Sequence, residues 1–168
     1  MQHLIIDSPV GLLTLVENRA GLAGVYMAEH KRRPAWETLG DLVGPPGSPV
    51  LCAAAEQLGE YFAGSLREFT IPLAPVGSPF QQRVWDALSQ IPYGELRTYG
   101  ALASMLGDPS MAQAVGSANG RNPLSIIVPC HRVVGADGSL VGYAGGLKRK
   151  EFLLELENPA LGHTEALF

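Results

Sequence analysis

Apolar positions fall in three short runs at the start of the chain and take up helical spacing afterwards. His3 to Ile6, Leu12 to Val16 and Leu22 to Met27 are the runs. Asp7-Ser8-Pro9-Val10-Gly11 and Glu17-Asn18-Arg19-Ala20-Gly21 separate them, and both separators carry turn chemistry, so the pattern predicts a strand meander. Lys31 to Ser48 is rich in Pro, Gly and charge and reads as a loop. Ser48-Pro49 then opens a helix, the hydroxyl serving as cap and the proline filling the first turn. Val50, Leu51, Ala54, Leu58, Tyr61 and Phe62 keep helical spacing until Gly64 ends it. Glu68 to Leu73 reads as a further strand.

Three prolines and a glycine fall within Pro72-Leu73-Ala74-Pro75-Val76-Gly77-Ser78-Pro79, which makes this the best linker. The chain is therefore expected to divide into an amino-terminal sheet-and-helix unit, residues 1–74, and a carboxy-terminal unit, residues 79–168. The second unit is mostly helical. Ser78 caps, Pro79 opens and Gln81 completes a capping box, with Phe80, Val84, Trp85 and Leu88 as one apolar stripe. Pro92-Tyr93-Gly94-Glu95 is a turn. A helix from Tyr99 to Leu106 is closed by Gly107, and Asp108-Pro109 caps another running to Ala118. Two short helices about a tight turn predict a helix-turn-helix. Ala112, Ala114, Gly116, Ser117 and Ala118 make the second one small-sided, suited to close approach to another surface or to packing in the protein's own core.

Composition narrows the class. With 168 residues, 46% hydrophobic and 17% charged, the chain can bury one good core or two small ones. No apolar run approaches the roughly 20 residues of a membrane helix. The first residues lack a signal peptide's basic region and long apolar stretch, so a cytoplasmic address is expected. A net charge of −4 argues against a bulk electrostatic grip on nucleic acid but leaves room for a local basic face. Of the two cysteines, Cys52 lies in an alanine-rich helical pattern and reads as a core thiol. His3, His30 and His163 are scattered and there is no Cys-x-x-Cys pair, so no metal site is expected.

The chemistry concentrates in Ile127-Val128-Pro129-Cys130-His131-Arg132-Val133. Ile126, Ile127 and Val128 read as a short buried strand that Pro129 stops, placing Cys130 at an edge or cleft mouth. The adjacent imidazole offers a base or a cation, and either favours thiolate, the nucleophilic form of sulfur. Pro129-Cys130-His131-Arg132-Val133, preceded by Asn122-Pro123, resembles the signature of O6-alkylguanine-DNA alkyltransferases. Phe80-Gln81-Gln82-Arg83-Val84-Trp85, Ile91-Pro92-Tyr93-Gly94-Glu95, Thr98-Tyr99, Ala114-Val115-Gly116, Tyr143-Ala144-Gly145-Gly146 and Leu153-Leu154-Glu155-Leu156-Glu157 follow in the family's order and spacing. The likeness covers Ser78 to Glu157 and is looser before that.

The resemblance implies an α+β protein with a small ribonuclease-H-like amino-terminal domain and a winged-helix-like carboxy-terminal domain. It implies single-turnover repair, in which an alkyl group moves irreversibly from guanine O6, with O4-alkylthymine as a second candidate, to Cys130. By the same resemblance His131 is the base through a bridging water and Glu157 orients it. Tyr99 donates to the guanine ring, and Asn122 braces the active-site turn. Main-chain groups of Cys130, Val133 and Ala144 read the base, and Tyr143 walls the pocket. Gln113, Ala114, Gly116, Ser117 and Arg121 belong to the DNA surface, which enters the minor groove so that the damaged nucleotide can be flipped. Arg83, Arg97 and the Lys148-Arg149-Lys150 run are candidate phosphate contacts, the run being alternatively a solvated helix face. Arg132 reads as structural, bridging to backbone or acids. No cofactor or metal is implied, and the partner is double-stranded DNA bound by a monomer, with cooperative clusters along DNA as the alternative.

One residue departs from the family's pattern. Relatives usually carry an arginine where Gln113 stands, and glutamine loses both the cation and the stacking plane. Weaker base extrusion, by roughly 1–3 kcal/mol, is the expectation. Two readings rival alkyl transfer: a damaged-base sensor, whose known kind lacks the cysteine, and a thiol hydrolase built on Cys130 and His131. Plainer alternatives also exist for two residues, with Tyr99 half-buried and its hydroxyl in solvent, and Glu157 an ordinary exposed acid.

Overall fold

The structure is a computed structural model and describes residues 1–31, 33–44 and 48–162. His163 and the end of the expected carboxy-terminal unit lie outside them, as do parts of the 31–48 segment. Strands β1 (Gln2–Ile6), β2 (Leu13–Glu17) and β3 (Leu22–Met27) form the meander, pairing antiparallel. The register sets Leu4 opposite Leu15 and Leu15 opposite Val25, an apolar row facing the core. Strand β4 (Asp41–Leu42) adds to β1 in parallel, giving the order β3-β2-β1-β4. The sequence reads this segment as loop because the strand is only two residues long and both are exposed.

Helix α1 (Pro49–Phe62) covers the sheet with Leu51, Ala54, Leu58 and Tyr61, and Ser48 Oγ accepts from Leu51 N at 3.1 Å. The strand expected over residues 68–73 does not form. Pro72 and Pro75 lack amide donors, and the stretch makes only an isolated bridge between Leu22 and Leu73. It is held as a strap, Leu22 N donating to Pro72 O and Ala74 N to Leu22 O, both at 2.8 Å.

Helix α2 (Pro79–Leu88) starts with the expected capping box, Gln81 N to Ser78 Oγ at 3.1 Å and Ser78 N to Gln81 Oε1 at 2.9 Å. After the 92–95 turn come β5 (Arg97–Thr98) and α3 (Tyr99–Met105). Asp108 caps a 3-10 turn, Pro109–Met111, and α4 (Ala112–Gly120) follows, ending two residues beyond the expected Ala118. Strand β6 (Val133–Val134) lies parallel to β5. Helices α5 (Leu147–Glu157) and α6 (Pro159–Gly162) complete the described chain. Buried side chains from Leu4 to Leu153 form one continuous cluster, so both halves of the chain pack around a shared core. No helix among the described residues is long and apolar enough to cross a membrane.

Candidate active site

Cys130 opens a 3-10 turn, Cys130–Arg132, and the preceding segment is a series of turns rather than the expected strand. Asn122 replaces the missing strand partner: its Nδ2 donates to Val128 O at 2.8 Å and its Oδ1 accepts from Leu124 N at 3.0 Å. Ile126 sits at φ +74, an uncommon conformation for a β-branched residue, costing of order 1–3 kcal/mol. Three consecutive apolar residues suit a buried strand or a buried turn equally well, and here the Asn122 side chain and local backbone turns such as Val128 N to Leu124 O at 2.9 Å make it a turn.

The sulfur is also more enclosed than a cleft mouth would leave it. Cys130 is 5% exposed, and burial raises its thiol above the ordinary value, while hydrogen bonding from Asn122 and the charge of Lys150 act against the rise. The resting state therefore favours thiol over thiolate, and attack requires a base. The candidate base is the next residue in the chain. His131 Nε2 lies 2.7 Å from Glu157 Oε2, with both side chains fully buried. Burial lowers the imidazole below its usual value, opposed by Glu157.

Glu157 is an acceptor for five hydrogen bonds. Arg132 Nε and one terminal NH2 donate at 2.8 and 3.0 Å, Tyr61 Oη at 2.6 Å, Gly94 N at 3.4 Å, and His131 supplies the fifth. Burial alone would raise its pKa, but His131 and the Arg132 fork outweigh it and hold the carboxyl well below the usual range. Arg132 contributes at any working pH, since guanidinium keeps its charge. An ionised carboxylate only accepts, so Nε2 carries the ring proton and Nδ1 keeps its lone pair. Nδ1 is buried and has no hydrogen-bond partner, which leaves it available to take a proton. Glu157 is thus neither exposed nor ordinary.

Tyr99 starts α3 half-buried, its hydroxyl donating to Val141 O at 3.3 Å. Burial raises this phenol, and a Cys130 thiolate would raise it further. Tyr143 is buried with a hydroxyl lacking a hydrogen-bond partner, and it too senses Cys130. Among the expected base-reading main-chain groups, two carbonyls already hold donors. Val133 O accepts from Lys150 Nζ at 2.6 Å and Ala144 O from Lys31 N at 3.0 Å, which leaves each one lone pair.

Helix α4 exposes Gln113, Ala114, Ser117 and Arg121 along one face, while Val115, Ala118 and Asn119 are buried. Gly116 is half-buried against Tyr99, to whose ring an added Cβ would come within 3.7 Å. Trp85 Nε1 donates to Ala118 O at 2.9 Å and fixes α4 to α2. The 148–150 run is not a uniform basic face. Lys148 is exposed, but Arg149 Nε donates to Val10 O at 2.9 Å, and Lys150 is fully buried, bonding Val133 O and Val141 O. Burial holds Lys150 down to about 8, against the pull of a Cys130 thiolate. Arg83 donates to Leu106 O, and Arg97 pairs with Glu95 at 3.1 Å.

Sequence reasoning missed Tyr61 and Lys150. Tyr61 was placed on an apolar stripe, yet a tyrosine hydroxyl buried there needs a polar partner, and that need is the available signal. Lys150 carries no such signal, because a helical lysine is ordinarily solvated. A cavity of about 400 Å3 between the two halves is lined by Arg67, Phe69, Tyr93, Ile127, Pro129 and Arg132, among others. Cys130, Tyr99 and Tyr143 are not in its wall, so it lies on the Arg132 side of the active-site segment.

Two family models match the chain: the 6-O-methylguanine DNA methyltransferase ribonuclease-like domain over residues 1–75, and its DNA binding domain over residues 79–159. The methylated-DNA–protein-cysteine methyltransferase of Mycobacterium leprae is 51% identical over 163 residues, covering 97% of this chain and 96% of its own. That of Methanosarcina acetivorans is 47% identical, covering 94% and 98%. The crystal structure of Mycobacterium tuberculosis OGT in complex with DNA superposes with a TM-score of 0.86 at 48% identity, covering 95% of this chain and 94% of that one.

Proposed function

The chain belongs to the 6-O-methylguanine DNA methyltransferase family, and from that premise we propose that Cys130 is its alkyl acceptor, taking the group from O6-alkylguanine in duplex DNA once per molecule. The observation that carries the reading is the buried chain from Glu157 through His131 Nε2–H to an unpartnered Nδ1, on the residue that follows Cys130 in the chain. A ring held in that tautomer can accept the thiol proton through one water, as in other nucleophile–base–orienter sites.

In the step itself the S–C bond forms as the O6–C bond breaks, and the bonding pair passes to the guanine. The thiol proton goes to His131. Guanine leaves as an anion unless protonated, and Tyr99, turning its hydroxyl from Val141 O, donates to the ring as the charge develops. The sulfur ends as a thioether, which water does not cleave under mild conditions, so no turnover follows. O4-alkylthymine presents the same ether chemistry and is the second candidate substrate.

A stacked base lies beyond the reach of Cys130, so the nucleotide must be flipped, at a cost of a few kcal/mol. The α4 face of Gln113, Ala114, Gly116 and Ser117 approaches the minor groove, its small side chains permitting close approach. Arg121 at its end and Lys148 meet phosphates. Val133 and Ala144 offer their remaining carbonyl lone pairs to the base, Tyr143 walls the pocket, and Asn122 holds the turn. All reacting groups come from one chain, so a monomer suffices.

The test is intact-protein mass spectrometry after incubation with O6-methylguanine duplex. The expected result is one methyl on Cys130 and none in Cys130→Ser. Lesion bound without mass gain would point instead to the sensor, and substrate consumed in multiple turnovers to a hydrolase.

A further inference from the structure

Tyr61 lies at the end of α1, in the half of the chain that carries neither the thiol nor the DNA-facing helix. It is fully buried, and its ring packs edge-on against Phe62 and Tyr93 at 5.3 and 6.2 Å. A tyrosine filling a core could point its hydroxyl to a nearby carbonyl. This one crosses 96 residues of sequence to donate at 2.6 Å to Oε2 of Glu157, the same oxygen that receives His131. We infer that Tyr61 is a positioning residue for the alkyl transfer: its hydroxyl fixes the Glu157 carboxylate against His131, so the amino-terminal half takes a direct part in the reaction. The inference rests on the function proposed above.

Two consequences follow from sharing one oxygen. First, the carboxylate cannot rotate. Arg132 bonds both oxygens and Tyr61 bonds Oε2, so turning the carboxylate away from Nε2 would break several of these bonds at once. Second, the phenol draws charge from Oε2 and weakens its hold on the imidazole. Burial and the neighbouring Glu157 charge both raise the phenol's own pKa, so it remains a donor throughout. His131 is faced by Glu157 and Lys150 from α5 and by Arg132 on its own turn, and none of these can replace the lost donor.

Tyr61→Phe removes the hydroxyl and keeps the ring. Single-turnover methyl transfer should be measured from pH 5 to 9, with folding checked by urea titration. The plateau rate should fall about tenfold, as expected when a hydrogen bond to a charged group no longer holds the base in line. The acid limb, which reports His131 losing its proton, should move upward by about one unit as Oε2 recovers its full pull. Tyr93→Phe is the control. It strips a hydroxyl from the same aromatic cluster, where the oxygen reaches only Leu156 O at 3.5 Å, and it should leave both readouts in place. A Tyr61→Phe protein with an unmoved acid limb overturns the inference, whether its rate is normal or falls only with the folded fraction. Failure of the wild-type protein to gain an alkyl group would sink the functional reading instead, so the two failures are distinct.

Discussion

Replacing Glu157 with glutamine changes one atom of the site and should abolish its base. The amide must place an oxygen and an NH2 where two carboxylate oxygens now accept. The Oε1 position faces Arg132 Nε and Gly94 N, which can only donate. The Oε2 position faces Tyr61, His131 and one Arg132 NH2, of which the first two can turn into acceptors. The amide oxygen therefore settles at the first position and its NH2 at the second. His131 then accepts at Nε2, and its proton moves to Nδ1, the atom that must be vacant for the thiol proton. Removing an orienting carboxylate in this way costs about 10^4 in rate elsewhere, chiefly by imposing the wrong tautomer.

The same substitution strips the partner from Arg132, whose side chain is 7% exposed, and breaking a buried pair costs about 3–5 kcal/mol. That is a large share of the 5–15 kcal/mol typical of a domain. Rate and folding must be separated. Methyl transfer should be followed by rapid quench at low temperature, with the folded fraction fixed by urea titration in the same buffer. A fall of at least about 10^3 in rate per folded molecule is expected, given the wrong tautomer. A Glu157→Gln protein reacting within about threefold of wild type would refute the tautomer argument, since one misplaced proton should be worth far more.

Three other outcomes are expected. Gln113→Arg restores a cation on the exposed face of α4 and should tighten binding to lesion duplex by about 1–3 kcal/mol, read by fluorescence anisotropy; unchanged affinity would remove this position from base extrusion. Lys150 is held down to about 8 by burial, so the fold disfavours its charged form below that pH and recovers stability as pH rises toward the unfolded value near 10.4. Urea titrations of Cys130→Ser, which silences the thiol, should show a gain of up to about 3 kcal/mol between pH 8 and 10.5, and Lys150→Met should abolish that slope. Iodoacetamide should modify Cys130 at least about tenfold more slowly than a free cysteine at pH 7.5, because burial disfavours the thiolate; site-resolved mass spectrometry distinguishes it from Cys52, and equal rates would contradict a raised thiol.

What could be read from the sequence divides by the range of the interaction. Ser48, Ser78 and Gln81 announce their helices because a cap acts within four residues, and the meander follows from turn residues between short apolar runs. The strands expected at 68–73 and 126–128 fail for the opposite reason. Apolar runs record burial but not which group satisfies the backbone, and here the donors come from Leu22 and from the Asn122 amide. Cys130, His131 and Glu157 were visible through motif likeness. Arg132 was legible as a bridge to backbone or acids, and it bonds Ile91 O and Glu157. The hydroxyl of Tyr61 and the ammonium of Lys150 were not legible, since each meets its partner only once α1 and α5 have packed into place.

That packing explains why the reactive centre is assembled from the whole chain rather than from its signature. Burial works against both partners of the proton transfer, raising the thiol and lowering the imidazole, so a bare Cys-His pair in this environment would stay neutral and idle. The opposing influences arrive from other parts of the chain: the Asn122 hydrogen bond and the Lys150 ammonium act at the sulfur, and the Glu157 charge acts at the imidazole. They lower the cost of separating thiolate from imidazolium without ionising the thiol in advance. A protein that reacts once gains from that arrangement. A sulfur held as thiol at rest reacts slowly with stray electrophiles and becomes nucleophilic when a flipped base displaces water and presents its carbon to the site.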